Sequence, residues 1–174
     1  MNKIIILILA MLVILTGSVI AAEITDVLSP IQGQYEIVWA YNASDTADPW
    51  KKYVPGAPEW ANDLQDIGIG QGYWIKMLYS SSSLTVEGLP LASSQISLAT
   101  GWNLMGYPST DSQAISSALS GIDGKYEIVW AYNSSDTGDP WKRYMPGGVG
   151  NDLDAMKPGC GYWIKMTQDA TLTI

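Results

Sequence analysis

The sequence predicts an α+β fold built from two tandem small β-rich modules, each a twisted sheet with short helices, placed after an N-terminal signal peptide. Three observations carry this prediction. The chain contains an internal duplication, each copy alternates apolar and polar residues with period two, and an apolar leader ending in small residues precedes both. The implied boundaries are 1–22 for the leader, 23–90 for the first module and 91–174 for the second.

The duplication comes first because it sets the frame for the rest. Tyr35-Glu36-Ile37-Val38-Trp39-Ala40-Tyr41-Asn42 recurs unchanged as Tyr126-Glu127-Ile128-Val129-Trp130-Ala131-Tyr132-Asn133. Asp48-Pro49-Trp50-Lys51 returns as Asp139-Pro140-Trp141-Lys142, and Gly72-Tyr73-Trp74-Ile75-Lys76-Met77 as Gly161-Tyr162-Trp163-Ile164-Lys165-Met166. Roughly two-thirds of the aligned positions are identical, far beyond chance for unrelated segments. The second copy is shorter around Ala57-Pro58-Glu59-Trp60.

The leader reads as an export address. Lys3 supplies the positive start, 4–15 is an unbroken apolar run, and Val19-Ile20-Ala21-Ala22 offers small residues for cleavage after Ala21 or Ala22. An uncleaved anchor is the competing reading, since 4–20 approaches the length that spans a bilayer. Either way the rest of the chain is expected outside the cytoplasm, extracellular or at the cell surface.

Within each copy the order expected is helix, strand, strand, short helix, strand, strand. Ile24, Leu28 and Ile31, like Ile115, Leu119 and Ile122, have the spacing of a short amphipathic helix. In 35–41 the alternation puts Tyr35, Ile37, Trp39 and Tyr41 on one face and Glu36, Val38 and Ala40 on the other. A strand follows at 50–54. Asn62 and Asn151 are expected to cap short helices through Leu64 and Ile67, and through Leu153 and Met156. Gly70 and Gly72 turn the chain into a strand at 73–78, and Leu84-Thr85-Val86 matches Leu172-Thr173-Ile174 as a closing strand.

One element has no twin. The run 96–108, with Gly101-Trp102-Asn103-Leu104-Met105-Gly106-Tyr107-Pro108, reads as a strand or hairpin opening the second module. Nothing like it precedes Ile24, so the first module is expected to lack its opening strand. Its sheet would then have an open edge, through which the chain could self-associate.

Composition narrows the function. Formal charge is −8, and an acidic chain without a basic patch is not expected to bind nucleic acid. His is absent, which removes the commonest general base and the commonest metal ligand. A single Cys excludes an internal disulfide, and Cys160 aligns with Gln71 in the other copy. Glu36 with Asp48 is the one carboxylate pair that invites a glycosidase reading, a remote one for modules too small to hold a cleft. No cofactor, no metal and no catalytic residue is expected.

The unusual feature is eight Trp and ten Tyr with no Phe. Trp39, Trp74 and their twins stand inside alternating strands and are expected to face the core. Trp50 and Trp141, beside a loop, with Tyr53 and Tyr144, are the candidate ligand-binding residues. Trp60 occurs only in the first copy and reads as a surface residue. Asn42-Ala43-Ser44 and Asn133-Ser134-Ser135 fit the N-glycosylation acceptor pattern, against the plainer reading of turn-forming Asn. Asn42, Asp45 and Asp48, and Asn133, Asp136 and Asp139, gather oxygens, but their spacing is not that of a calcium loop.

The Gly-Trp-Asn-Leu-Met-Gly-Tyr-Pro run, the Trp-containing strand, the Asp-Pro-Trp turn and the Gly-x-Gly-Tyr-Trp-Ile strand resemble a repeat module of secreted and cell-surface proteins. Such modules are common in methanogenic archaea, often beside adhesion-type β-domains. The resemblance spans nearly all of the chain after the leader and implies an envelope-associated structural or binding role. The expectation is therefore a non-catalytic cell-envelope interaction module whose partner is a cell-surface protein or polysaccharide. The alternative is a carbohydrate-binding module using exposed Trp and Tyr. A coplanar row of exposed rings would favour the second.

Overall fold

A computed structural model describes residues 4–7, 21–79, 84 and 93–174. In chain order the elements are β1 (Ile4–Leu7), β2 (Ala22–Glu23), α1 (Ile24–Val27), β3 (Tyr35–Tyr41), β4 (Trp50–Tyr53), β5 (Asp66–Ile67), β6 (Tyr73–Met77), β7 (Gln95–Leu98), β8 (Gly101–Gly106), β9 (Gln113–Ala114), α2 (Ile115–Ala118), β10 (Tyr126–Tyr132), β11 (Trp141–Tyr144), β12 (Ala155–Met156), β13 (Gly161–Met166) and β14 (Ala170–Thr173). The fold is β-rich with short helices, the class the alternation predicts. Among the described residues no helix is long and apolar enough to cross a membrane.

Two four-stranded antiparallel sheets dominate, in the orders β1-β6-β3-β4 and β8-β13-β10-β11. Their registers correspond: Trp39 faces Trp74 and Tyr41 faces Trp50, as Trp130 faces Trp163 and Tyr132 faces Trp141. Three two-stranded pairs (β2 with β5, β9 with β12, β7 with β14) flank them. The run 96–108 thus forms two strands that pair with different neighbours rather than with each other, β7 on β14 and β8 on β13.

Each four-stranded sheet buries one face against its own helical turn. In the first, Ile24, Val27, Leu28 and Ile31 cover Val38, Tyr73, Ile75 and Met77; in the second, Ile115, Leu119 and Ile122 cover Val129, Tyr162, Ile164 and Met166. The helices are one turn long, each continued by a 3-10 turn at Ser29–Ile31 or Ser120–Ile122. Turns this short are held by that packing and not by their own propensity.

Three expectations are corrected. A register shift between Tyr35 and Ile37 breaks the strict alternation of β3, so Tyr35 joins Val38 and Ala40 in the core while Ile37, Trp39 and Tyr41 face away from it. The same shift between Tyr126 and Ile128 turns Trp130 and Tyr132 outward in β10. In β6 and β13, which carry no such shift, Tyr73, Ile75 and Met77, and Tyr162, Ile164 and Met166, take the core face and leave Trp74 and Trp163 outside it, so the core reading of the strand tryptophans fails.

The capped helices after Asn62 and Asn151 are absent. The Asn62 side chain accepts from the Val54 N–H (2.8 Å) and donates to the Val54 carbonyl (3.2 Å), imitating a strand partner; Asn151 does the same to Met145 at 2.9 and 3.0 Å. Leu64 and Leu153 then drop into the cores from extended chain that leads to β5 and β12. Of the closing strand expected at 84–86, Leu84 packs half-buried on the first core, and Thr85 and Val86 lie outside the described residues.

The chain's N-terminal segment supplies the partner of the β6 edge. Ile4, Ile5, Ile6 and Leu7 stand opposite Lys76, Ile75, Trp74 and Tyr73, the places that Trp102, Asn103, Leu104 and Met105 hold on β13. Residues 8–20, the rest of the apolar leader, lie outside the described residues.

Candidate functional site

The residues turned away from the two cores meet one another. Tyr41 lies 5.2 Å from Trp163 between ring centroids, and Trp50 lies 5.8 Å from it. Reciprocally, Trp74 lies 5.4 Å from Tyr132 and 5.8 Å from Trp141. The exchange of partners is that of an approximate two-fold: each sheet presents its Tyr and loop Trp to the other sheet's strand Trp. The Trp163 pairs meet edge-on and the Trp74 pairs tilted; edge-on aromatic pairs contribute about 0.5–1.5 kcal/mol each beyond the area they bury.

Backbone joins the sheets as well. Gly72 N–H donates to the Leu104 carbonyl (3.2 Å) and Gly106 N–H to the Gly70 carbonyl (2.8 Å). Two glycines make this approach possible. Gly70 sits at φ +74°, where a side chain would be strained and its Cβ would come within 2.7 Å of Ile96; a Cβ on Gly72 would stand 2.8 Å from both Leu104 Cγ and the Met105 carbonyl.

Between the sheets a cleft of about 630 Å³ opens, lined by Tyr41, Trp50, Trp102, Trp130, Trp141 and Trp163. Its wall is carbon almost throughout. Trp50 is 45% exposed, and Trp102 and Trp141 are each 39% exposed. Contacting rings in the cleft cross at 61° to 89°, so none of these pairs is stacked flat. Trp102 makes the cleft one-sided: opposite Lys165 it stands beside Trp163, while the equivalent place opposite Lys76 belongs to Ile4.

The candidate binding residues divide. Trp50 and Trp141 come together at the cleft. Tyr53 and Tyr144 do not join them; they lie half-buried against the two cores, because they follow Trp50 and Trp141 by an odd number of residues and so point to the opposite face. Sequence reasoning missed Trp102, Trp130, Trp163 and Tyr41 as cleft residues. Trp60 is 88% exposed and away from the cleft lining.

The loops before Trp50 and Trp141 hold these rings in place. Asn42 Oδ1 accepts from Ser44 N–H at 3.1 Å, and Asn133 Oδ1 from Ser135 N–H at 3.0 Å. Both Asn residues are exposed, and the turn uses their side-chain oxygens, not their amide nitrogens. Asp45 Oδ1 accepts from the Ala47 and Asp48 amides, and Asp136 Oδ1 from those of Gly138 and Asp139. Lys51 Nζ bridges Asp45 at 2.9 Å and Asp48 at 3.3 Å; Lys142 bridges Asp136 at 3.2 Å and Asp139 at 3.0 Å.

A lysine therefore occupies the place a cation would need in each loop. Its hydrogen bond to Asp45, followed by the Asp48 N–H, holds the Asp45 carboxyl below the usual range; for Asp136 the Asp139 N–H leads and Lys142 follows. Among the described residues no group of three or more Asp, Glu or Cys is placed to hold a metal ion. Glu36 pairs with Lys76 at 2.7 Å and Asp48 with Lys51, so both carboxylates of the glycosidase reading are tied to lysines. Cys160 is half-buried, and burial pushes its thiol up, away from the reactive thiolate.

Compared with protein-family models, with curated proteins and with solved structures, the chain gives no match.

Proposed function

We propose that this chain is an exported, non-catalytic interaction protein of the cell envelope, and that the aromatic cleft between its sheets is the surface that holds a partner protein. The observation that carries this is the crossing of the cleft's rings. Rings at 61° to 89° leave slots between an edge and a face, which fit a protruding apolar side chain or a proline ring. Aromatic-lined grooves of this type take extended, proline-bearing segments whose low entropy favours binding. A polysaccharide chain is better served by coplanar rings and by polar groups to meet its hydroxyls, and this wall supplies neither.

Export is supported by the leader, from Lys3 through the apolar run to Ala21 and Ala22. The envelope is supported by the resemblance of the Gly-Trp-Asn-Leu run and its companions to cell-surface modules. A non-catalytic role is supported by the absence of His and by carboxylates engaged with lysine.

The second reading, a carbohydrate site, is favoured by the open faces of Trp50, Trp102 and Trp141. One titration separates them. Solubilised envelope is treated either with protease or with periodate, and each sample is added while tryptophan emission is followed. A saturable shift that survives periodate, disappears after protease and is lost in the Trp50→Ala/Trp141→Ala double variant supports protein binding. A shift with the opposite sensitivities establishes the sugar reading, and a shift indifferent to the double substitution removes the cleft from the account.

A further inference from the structure

We propose that the outer edge of β6 is a strand-acceptor site, whose occupant is an extended Gly-Trp-Asn-Leu-type segment of a different polypeptide, added antiparallel to complete the sheet. This edge adjoins the cleft, since Trp74 on it touches the cleft residue Trp141, but its occupancy does not depend on what the cleft binds.

The argument starts from an identity. The residues of the acceptor edge, Gly72-Tyr73-Trp74-Ile75-Lys76-Met77, are the same six as Gly161-Tyr162-Trp163-Ile164-Lys165-Met166. On the second edge the occupant is known, because Gly101–Gly106 pairs along all six residues, Gly106 with Gly161 through Gly101 with Met166. A strand that fits one edge presents the right backbone spacing and side-chain pattern for the other. On the first edge the occupant is β1, four residues of the apolar segment read above as the export address. A chain parted from that segment presents β6 bare, with a row of unpaired amides and carbonyls.

Which groups face the donor follows from β8. Leu104 and Gly106 turn their backbone groups toward Gly72 and Gly70, so Asn103 and Met105 turn theirs toward Ile164 and Tyr162 of β13. By the matching register, Ile5 and Leu7 bond to Ile75 and Tyr73. The amides of Tyr73, Ile75 and Met77 are therefore the acceptor row. An incoming Trp-bearing strand would also place its indole opposite Lys76, beside Trp74, as Trp102 stands opposite Lys165 beside Trp163.

The donor is not a second copy of this chain. Each copy has two identical edges and one Gly-Trp-Asn-Leu run, and that run is held on its own β13 at the high effective concentration of an intramolecular strand. Lending it would empty one edge to fill another. A different polypeptide with an unpaired run of this pattern has no such penalty.

The test uses the full chain with Ile5→Pro and Leu7→Pro, which deletes the two N–H groups that β1 offers to β6. The probe is a labelled peptide of the 101–108 sequence, followed by anisotropy and by hydrogen exchange. The variant should bind it saturably, at least about tenfold more tightly than the unaltered chain in which β1 competes. Exchange at the Ile75 and Met77 amides should slow with bound peptide, and a peptide with proline in place of Asn103 and Met105 should not bind. If the double variant does not fold, Leu7→Pro alone serves with the same readouts. Failure of a folded variant to bind, equal binding by both chains, or peptide-independent dimerisation through β6 would each overturn the proposal.

Discussion

The two sheets share their edge residues, their helical turns and their loop geometry, yet they are closed differently. In the second, β7, β8 with the residue that follows it, and β14 add Ile96, Leu98, Met105, Tyr107 and Leu172 to the buried set, all from the chain that opens or ends that repeat. Among the described residues the first core gains one counterpart of these five, the half-buried Leu84 in the place of Leu172, and is closed on its β6 edge by the four residues of β1. Among the described residues the duplication has thus copied the sheet more fully than its closure. Each fully buried side chain of this size contributes about 1.5–3 kcal/mol. The second sheet is therefore the firm scaffold, and the first is the one whose edge can change occupant.

Removing part of the extra closure should have the largest effect. Tyr107 is buried in the second core and donates to Gln113 Oε1 at 3.1 Å. Tyr107→Ala should destabilise that core by about 3–5 kcal/mol, read as a lower urea midpoint. Amides of β3 should keep more of their exchange protection than those of β10. Equal loss in both strands would show that the sheets unfold as one unit and would break the comparison.

A smaller effect is expected where the sheets touch. Gly72→Ala forces a Cβ against Leu104 and the Met105 carbonyl and should destabilise by about 1–3 kcal/mol. Gly33→Ala, at φ +76° with open space around it, should lose only the about 1 kcal/mol of a strained backbone. Thermal unfolding of the pair measures the difference. A milder Gly72→Ala would mean that the contact through Gly70 and Gly72 is not held in solution.

The smallest effect concerns pH, and here the two halves should agree. The Asp45 and Asp136 carboxyls lie below their ordinary value in the folded chain, so their contribution is fully present above the usual carboxylate range. It is lost as pH falls through and below that range. Protection of the Asp48 and Asp139 amides, measured against the intrinsic exchange rate at each pH, should fall together on acidification below about pH 4, while neutral pH leaves both loops closed. Loosening of one loop alone would sharpen the comparison by showing that the lysine bridges are unequal.

Much of this was legible in the sequence because it repeats. The duplication, the presence of short helices and the strands before and after Asp48-Pro49 follow from period and spacing. The direction of Trp39 and Trp130 was not legible, because a one-residue shift at Glu36 and at Glu127 reverses every side chain that follows, and no glycine marks either site. The cleft was hidden with them: with Trp39 and Trp130 assigned inward, and Trp163 too although Tyr162, Ile164 and Met166 hold the core face of the regular strand β13, only the loop residues Trp50 and Trp141 remained as candidates. Asn62 and Asn151 misled for a related reason. An Asn side chain satisfies backbone groups of a neighbouring strand as readily as those of a helix start, and only tertiary contact decides. A pairing partner drawn from residues 4–7 had no signal at all, since an apolar leader carries no alternation from which to read a register.

The most direct test of the account compares two single substitutions. Trp102 lines the cleft, while Trp60 is as aromatic, more exposed and outside it. Affinity for the periodate-treated envelope fraction is measured for Trp102→Ala and Trp60→Ala beside the unaltered chain. A loss of at least about tenfold for Trp102→Ala, with Trp60→Ala unchanged, is the result expected of an aromatic hot spot. Equal losses, or none in either variant, would contradict the cleft as the binding surface.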